Sequence, residues 1–139
     1  MWKEQKGITL VELLAVLSLM SIIIMLVGSA MMFGQKQYKN QTEIIEQQDQ
    51  VRYVMATLTK EIRSHNSSQI SVSGNVLNIG SDSYEFSAPQ VLKNGTPMSD
   101  RIGVFEVEKN DLELDITIAS SAVGGNEQQR LSTILYLRK

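Results

Sequence analysis

The chain contains an uninterrupted apolar run close to one end. Residues 8–33 read ITLVELLAVLSLMSIIIMLVGSAMMF and hold a single ionisable side chain, Glu12. An α-helix rises about 1.5 Å per residue, so roughly 20 apolar helical residues cross the hydrocarbon core of a bilayer. The run contains no proline, and its hydroxyl side chains can hydrogen-bond to the helix backbone: Thr9, Ser18, Ser21 and Ser29. The run therefore predicts a membrane-spanning helix.

A buried core helix and a secretory signal peptide both fit this run less well. A buried core helix would need a protein large enough to enclose it, and the β-patterned sequence that follows is too short for that. A secretory signal peptide has an apolar region of roughly 7–15 residues that ends at a small-residue cleavage site. Here Gly28-Ser29-Ala30 is followed by Met31-Met32-Phe33, which are still apolar. The sequence favours a retained membrane helix.

Composition excludes several classes of site. The chain has 139 residues, no cysteine and one histidine, which excludes disulfides, zinc–thiolate sites, iron–sulfur sites and a multi-histidine metal site within one chain. The net charge of -2 argues against nucleic-acid binding by bulk charge. Five basic residues of the second half are scattered, so no direct nucleic-acid contact is expected: Lys93, Arg101, Arg130, Arg138 and Lys139. His65 is interpreted as an exposed loop residue.

A short charged leader precedes the apolar run, and segment 6–14 reads KGITLVELL. The order glycine, apolar residue, threonine, leucine, apolar residue and glutamate, followed by a long apolar helix, resembles the type IV prepilin signature of pilins and pseudopilins. The resemblance implies that a prepilin peptidase cleaves between Gly7 and Ile8. It also implies that residues 1–7 are the leader and that Ile8 becomes an N-methylated amino terminus. Many family members have phenylalanine at that position.

Glu12 is the one carboxylate in the apolar run, and a carboxylate in a membrane helix costs free energy. One interpretation is that its side chain reaches the membrane interface. The family resemblance implies another: Glu12, the fifth residue after the cut, neutralises the amino terminus of a neighbouring subunit in a filament. The attraction of such a pair at low dielectric offsets part of both desolvation penalties. The pair would then specify axial register.

The helical period continues beyond the apolar run. Side chains at spacings of three and four predict an amphipathic stripe: Ile44, Ile45, Gln48, Val51, Met55, Leu58 and Ile62. Residues 35–63 contain no proline, and the polar cluster at residues 64–68 favours turns. We therefore predict one helix from about Ile8 to Ser64, with a soft point at Gly28 or Gly34. Alternatively, the apolar stripe could pack against another helix in a coiled coil.

Beyond Gln69 the apolar period changes to two, which predicts β-strands. The predicted strands are 70–73, 76–79, 84–86, 102–108, 112–118 and 131–137. Residues 90–101 are predicted to form a turn or loop because they contain Asn94-Gly95 and Pro97, and residues 120–129 a loop with Gly124-Gly125. A long helix followed by a small antiparallel sheet is an α+β fold in which the helix packs on one sheet face. The pilin fold has the same architecture.

The predicted organisation has three parts. Residues 1–7 form the prepilin leader, residues 8–34 the transmembrane and assembly helix, and residues 35–139 an extracytoplasmic domain. This domain comprises an amphipathic helix over 35–64 and an antiparallel sheet over 69–139. Lys3 and Lys6 before the apolar run are balanced by Lys36 and Lys39 after it, so charge alone does not orient the helix. The resemblance implies a cytoplasmic amino terminus.

The sequence contains no motif for catalysis. It lacks a nucleotide-binding glycine loop and a nucleophile elbow, so we expect a protein that is not an enzyme. Acidic residues around a predicted hairpin offer oxygen ligands of the kind that calcium prefers: Glu106, Glu108, Asp111, Glu113 and Asp115. However, Glu113 and Asp115 alternate with apolar residues, as on a solvated sheet face. We therefore expect no metal site and no cofactor.

The resemblance implies a structural subunit of a type IV filament-like machine serving type II secretion, a pilus or competence. Residues 51–63 and 131–138 look like those of J-type minor pseudopilins and related minor pilins. The implied partners are other pilin or pseudopilin subunits, prepilin peptidase, the inner-membrane assembly platform and membrane lipid. The implied location is the inner membrane as a single-pass protein, then a periplasmic or cell-surface filament. A competence pseudopilin in DNA uptake, or a membrane-anchored sensor or binding module outside any filament, are the alternatives.

Overall fold

The structure is a computed structural model that describes residues 8–122 and 127–139. The predicted leader with Gly7, and the predicted Gly124-Gly125 loop, lie outside these described residues. The chain divides into two compact units, Met1–Lys39 and Asn40–Lys139. One α-helix, α1, comprises Leu10–Ser64 and is followed by a 3₁₀ turn at Ser67–Gln69. The eight strands are β1 Ile70–Ser73, β2 Val76–Ile79, β3 Asp82–Ser87, β4 Gln90–Lys93, β5 Thr96–Ser99, β6 Ile102–Asn110, β7 Glu113–Ser120 and β8 Arg130–Tyr136.

The part of α1 in the first unit carries exposed apolar side chains. Its most apolar 18-residue window has a mean hydropathy of 2.7, and none of that window is buried. The helix is continuous through the predicted soft points, Gly28 and Gly34. Length and apolarity are both sufficient to cross a bilayer. A single-pass membrane anchor accounts for this exposed apolar surface on the described part of the helix.

The serine side chains of this helix form the backbone hydrogen bonds that the sequence predicts. The hydroxyl of Ser18 donates to the carbonyl of Ala15 at 2.8 Å, and that of Ser21 to the carbonyl of Ser18 at 2.7 Å. Ser29 donates to Leu26 at 2.8 Å. Each hydroxyl is thus satisfied without water, which lowers the cost of placing it in lipid.

In the second unit, α1 buries one face in the core, and this face agrees with the predicted stripe from Val51 to Ile62 but differs from it before Val51. The buried residues are Gln47, Val51, Val54, Met55, Leu58 and Ile62. Ile45, which was predicted to lie on this face, is 57% exposed. Ile45 and Val54 are nine residues apart, which places them on opposite sides of an α-helix. The stripe packs against the strands of its own unit, so the coiled-coil alternative is wrong.

The strands form two antiparallel sheets, which together with α1 confirm the α+β class. The first sheet is a meander of five strands in the order β1-β2-β3-β4-β5, and the second has three strands in the order β6-β7-β8. Buried side chains from both sheets share one core with the helix, including Leu58, Tyr84 and Ile116, which are each 0% exposed.

The loop predicted for residues 90–101 is wrong, because this segment forms β4 and β5. Asn94 and Gly95 make the turn between them with φ values of 52° and 77°, as a tight hairpin turn requires. The Asn94 side chain holds the turn: its amide donates to Asp82 Oδ1 at 2.8 Å, and its oxygen accepts from the Ser83 N–H at 2.8 Å. Pro97 is tolerated because β5 is an edge strand.

A cationic side chain connects α1 to the five-stranded sheet. Lys93 Nζ lies 2.8 Å from Asp82 Oδ2 and 3.6 Å from Glu61 Oε1. It also lies 5.4 Å from the centroid of the Tyr84 ring. The Lys93 ammonium lowers the pKa of Asp82, and burial raises the pKa of Tyr84. Because the pKa of Asp82 is lowered on folding, this contact stabilises the fold at neutral pH and is lost as the pH falls through that pKa.

His65 is half-buried, not exposed as predicted. Its Nδ1 lies 2.8 Å from the Glu61 carbonyl oxygen and 2.9 Å from Ser64 Oγ, at the end of α1. Its ring packs on Gly80, where φ is +59° and a Cβ atom would come within 2.6 Å of His65 Nε2. His65 therefore has a structural contact at the end of the helix.

Gln47 provides a test of how the core is packed. Its side chain is 0% exposed, and neither amide atom has a hydrogen-bond partner among the described residues. An unsatisfied buried polar group costs about 1–3 kcal/mol. We expect Gln47→Leu to raise the free energy of unfolding of the full chain in detergent micelles by an amount in that range. Urea titration followed by circular dichroism measures it.

The neighbouring glutamine is the matched control for this substitution. Gln48 is half-buried, and its Nε2 donates to Gln129 Oε1 at 3.0 Å. Gln48→Leu removes a polar group that already has a hydrogen-bond partner, so this substitution should not stabilise the protein. Equal effects of the two substitutions would contradict the assignment of Gln47 as the unsatisfied group.

Candidate functional site

The start of α1 is closed by a reciprocal set of hydrogen bonds between Thr9 and Glu12. The Thr9 amide donates to Glu12 Oε2 at 2.9 Å, and the Thr9 hydroxyl donates to the same oxygen at 3.0 Å. In return the Glu12 amide donates to Thr9 Oγ1 at 3.3 Å. This arrangement is a capping box, in which Thr9 is the N-cap and Glu12 the third helical residue. It explains why the helix begins at Leu10.

The capping box was not predicted, although its threonine-x-x-glutamate spacing is present at residues 9–12. It changes the description of Glu12, whose carboxylate already accepts two hydrogen bonds from its own chain. Both bonds are made by Oε2. Among the described residues, no donor reaches Oε1, so this oxygen has capacity for a group from elsewhere.

The surroundings of this carboxylate are apolar and uncovered. Ile8 precedes the capping box and is 76% exposed, and Leu13 and Leu14 beside Glu12 are 50% and 58% exposed. Two of the predicted site residues, Ile8 and Glu12, are thus both exposed and lie four residues apart at the start of α1. Gly7, the third, lies outside the described residues. Lipid or other helices must cover this surface in the membrane.

The carboxylates considered as calcium ligands lie on the outer face of the three-stranded sheet and at its hairpin. Glu106 and Glu108 are exposed on β6, and Glu113 and Asp115 on β7, with Glu108 directly opposite Asp115. Within residues 8–122 and 127–139, no group of three or more His, Cys, Asp or Glu side chains is arranged to hold a metal ion.

The capping box predicts the effect of removing the Thr9 hydroxyl. Thr9→Val keeps the shape of the side chain but loses both hydroxyl bonds, and loss of an N-cap costs about 1 kcal/mol. We expect amide hydrogen exchange at Glu12 and Leu13, whose amides donate to Thr9, to become roughly fivefold faster in detergent micelles. Thr9→Ser retains the hydroxyl and should exchange as the unaltered chain does. Unchanged exchange in Thr9→Val would contradict the capping role.

Comparison with known proteins identifies the segment that contains this site. The family profile described as the prokaryotic N-terminal methylation motif matches residues 2–28. No curated protein and no solved structure matches the chain. The matched residues include Gly7, Ile8, Thr9 and Glu12 and lead directly into α1. Pilin-type proteins are in general structural subunits that assemble with other pilins after processing by prepilin peptidase. Residues 2–28, at the start of a 55-residue helix that precedes antiparallel sheets, thus resemble the amino-terminal segment of type IV pilin-like proteins of the prepilin family.

Proposed function

We propose that the chain is a structural minor subunit, pilin or pseudopilin, of a type IV filament-like machine, and that it is not an enzyme. The observation that supports this most strongly is the methylation motif at residues 2–28, at the start of a helix whose apolar side chains are uncovered. Such a surface can be covered by lipid while the subunit resides in the membrane, and by neighbouring helices after the subunit has entered a filament. The same helix thus serves as anchor and as assembly element.

Processing occurs between Gly7 and Ile8, so residues 1–7 are the leader. Residues 8–34 then form the transmembrane and assembly helix, and residues 35–139 the extracytoplasmic domain. Ile8 and Thr9, the first two residues after the proposed cut, precede the helix, which begins at Leu10. Cleavage converts the Ile8 amide nitrogen into an ammonium group, which is then N-methylated.

Glu12 pairs with the new amino terminus of a neighbouring subunit. Its Oε2 is engaged by Thr9, which orients the carboxylate, and its Oε1 accepts from the incoming ammonium. A carboxylate and an ammonium that meet in apolar surroundings offset part of each other's desolvation cost. Because the carboxylate occupies one position along the helix, the pair determines the axial register of adjacent subunits.

The location follows from this assembly route. The chain is stored as a single-pass protein of the inner membrane, with a cytoplasmic amino terminus and the sheets outside. It then enters a periplasmic or cell-surface filament through the inner-membrane platform. The likeness of residues 51–63 and 131–138 to J-type subunits supports a minor position in a type II secretion or pilus system.

Two alternatives predict different phenotypes. A competence pseudopilin would show a transformation defect without a secretion defect when its gene is deleted. A membrane-anchored sensor or binding module would carry no processed amino terminus and would copurify with no other prepilin-type subunit. The net charge of -2 gives no support for direct DNA binding by this subunit.

Mass spectrometry of the full chain tests the proposal. The chain is isolated from membranes with and without a coexpressed prepilin peptidase. We expect loss of residues 1–7 and a gain of one methyl group on Ile8 only when the peptidase is present. An intact amino terminus in the presence of an active peptidase, verified on a known prepilin, would contradict the proposed function.

A further inference from the structure

The last strand, β8, has one unpaired edge. Among the described strands, β8 pairs only with β7, which lies in the centre of the three-stranded sheet. After the strand ends, Arg138 pairs with Asn66, and its carbonyl accepts from the Ser67 amide at 2.8 Å. From Arg130 to Tyr136 no described residue pairs with this edge.

The backbone groups on this edge can be assigned from the hydrogen bonds around it. The Leu137 amide donates to the Leu112 carbonyl at 2.7 Å, and the Gln129 carbonyl accepts from the Ser120 amide at 2.9 Å. Odd-numbered residues therefore face β7, and the alternation of an antiparallel ladder turns the even-numbered residues outward. The amides and carbonyls that point to the open edge belong to Arg130, Ser132, Ile134 and Tyr136.

The edge lacks the features by which proteins usually prevent strand addition. Residues 131–136 read LSTILY and contain no charge, proline or glycine, and the basic residues Arg130, Arg138 and Lys139 lie only at the two ends of this stretch. Ile134 is 55% exposed and Tyr136 is 78% exposed, so apolar side chains border the unpaired backbone groups. An open edge whose central residues are uncharged and have high β propensity is a template for pairing with another strand.

The charge next to this edge indicates the kind of strand that fits. On the same outer face, Glu113 lies opposite Tyr136 and Asp115 opposite Ile134. Glu106 and Glu108 extend the face on β6, and none of these four carboxylates forms an ion pair with a described residue. Two copies joined through β8 would bring these acidic faces together in one sheet, which disfavours self-pairing.

We propose that β8 binds an extended, basic segment of a partner protein, which adds as a fourth strand to the three-stranded sheet. Backbone groups of Ser132, Ile134 and Tyr136 supply the hydrogen bonds, and Ile134 and Tyr136 supply apolar contact. Lysine or arginine side chains of the incoming strand lie over the acidic outer face. This binding mode is β-strand addition, and it does not depend on the assignment to a filament.

Amide hydrogen exchange of the full chain in detergent micelles, read by NMR, tests this. The probes are two end-blocked peptides, the basic KVTVKV and the acidic EVTVEV. We expect KVTVKV to slow exchange at Ser132, Ile134 and Tyr136 by roughly tenfold, and EVTVEV to bind roughly tenfold more weakly. Equal protection by both peptides would overturn the basic specificity. Protection that rises with protein concentration without peptide would identify a second copy as the occupant instead.

Substitutions provide the matched controls. Ile134→Pro removes an amide that faces away from β7, so the strand should remain in the sheet while peptide protection is lost. Exchange at the amides of β7 verifies that the sheet is retained. Tyr53→Ser removes an aromatic side chain that is 55% exposed on α1 and should leave protection unchanged. Protection by KVTVKV that persists in Ile134→Pro would overturn the proposal. If this variant does not fold, the comparison of the two peptides on the unaltered chain still tests the proposal.

Discussion

Glu12→Gln is expected to leave α1 and its membrane insertion intact while reducing subunit assembly by at least about tenfold. The reason is that the ammonium group of a neighbouring subunit would lose the carboxylate that pairs with it. Glutamine can occupy the third position of a capping box, so its side chain can still accept from Thr9. The substitution therefore removes the charge without removing the cap. Crosslinking between subunits, compared with the amount of chain in the membrane fraction, measures the two effects separately.

Thr9→Val is the complementary control, because it weakens the cap and retains the carboxylate. We expect crosslinking near the level of the unaltered chain for Thr9→Val and its loss for Glu12→Gln. Crosslinking that is unchanged in Glu12→Gln would show that the charge has no part in assembly. Equal losses in both variants would show that assembly requires the cap as well as the charge.

The site could be predicted in part because its residues are local in sequence. Glu12 stands out as the one charge in residues 8–33, and its distance from Gly7 along the chain is the same in any fold. The role of Thr9 was missed because its hydroxyl was interpreted as a partner for the helix backbone. The threonine-x-x-glutamate spacing of Thr9 and Glu12 is sufficient to predict the capping box. Glu12 was instead interpreted only through its charge.

The fold was predictable where one hydrophobic period extends over many residues. The prediction failed where the interpretation depended on a single turn. The 55-residue helix follows from its composition and the absence of proline. Residues 90–101 were predicted as a loop because Asn94-Gly95 and Pro97 are turn residues. In the structure the first pair is the hairpin turn itself, and Pro97 occupies an edge strand where its missing amide costs little.

The division into two sheets is not encoded in any local pattern. β5 and β6 follow each other in sequence but lie in different sheets, while both sheets contribute to one core. Likewise, the burial of Gln47 in place of Ile45 depends on the phase at which α1 meets the strands. Such features are set by non-local packing, which a single sequence with period-based reasoning does not resolve.

Gly7→Val is expected to prevent processing of the chain. Peptidase cleavage after a glycine requires close approach to its backbone, and a branched side chain at that position obstructs it. Gly7 precedes the capping box, so the cap and the helix should be retained. Gel mobility and the mass of the amino-terminal peptide report the cut. Processing at the normal rate in Gly7→Val would show that cleavage is elsewhere.

The two substitutions remove opposite halves of the same proposed ion pair, so their combination is more informative than either alone. Gly7→Val leaves the Ile8 nitrogen as an amide and therefore removes the ammonium, whereas Glu12→Gln removes the carboxylate. If the two groups act only through each other, the double variant should assemble no worse than the more affected single variant. A loss in the double variant equal to the product of the two single losses would mean that cleavage and Glu12 contribute independently. In that case, the register of the filament would have to come from another contact along residues 8–33.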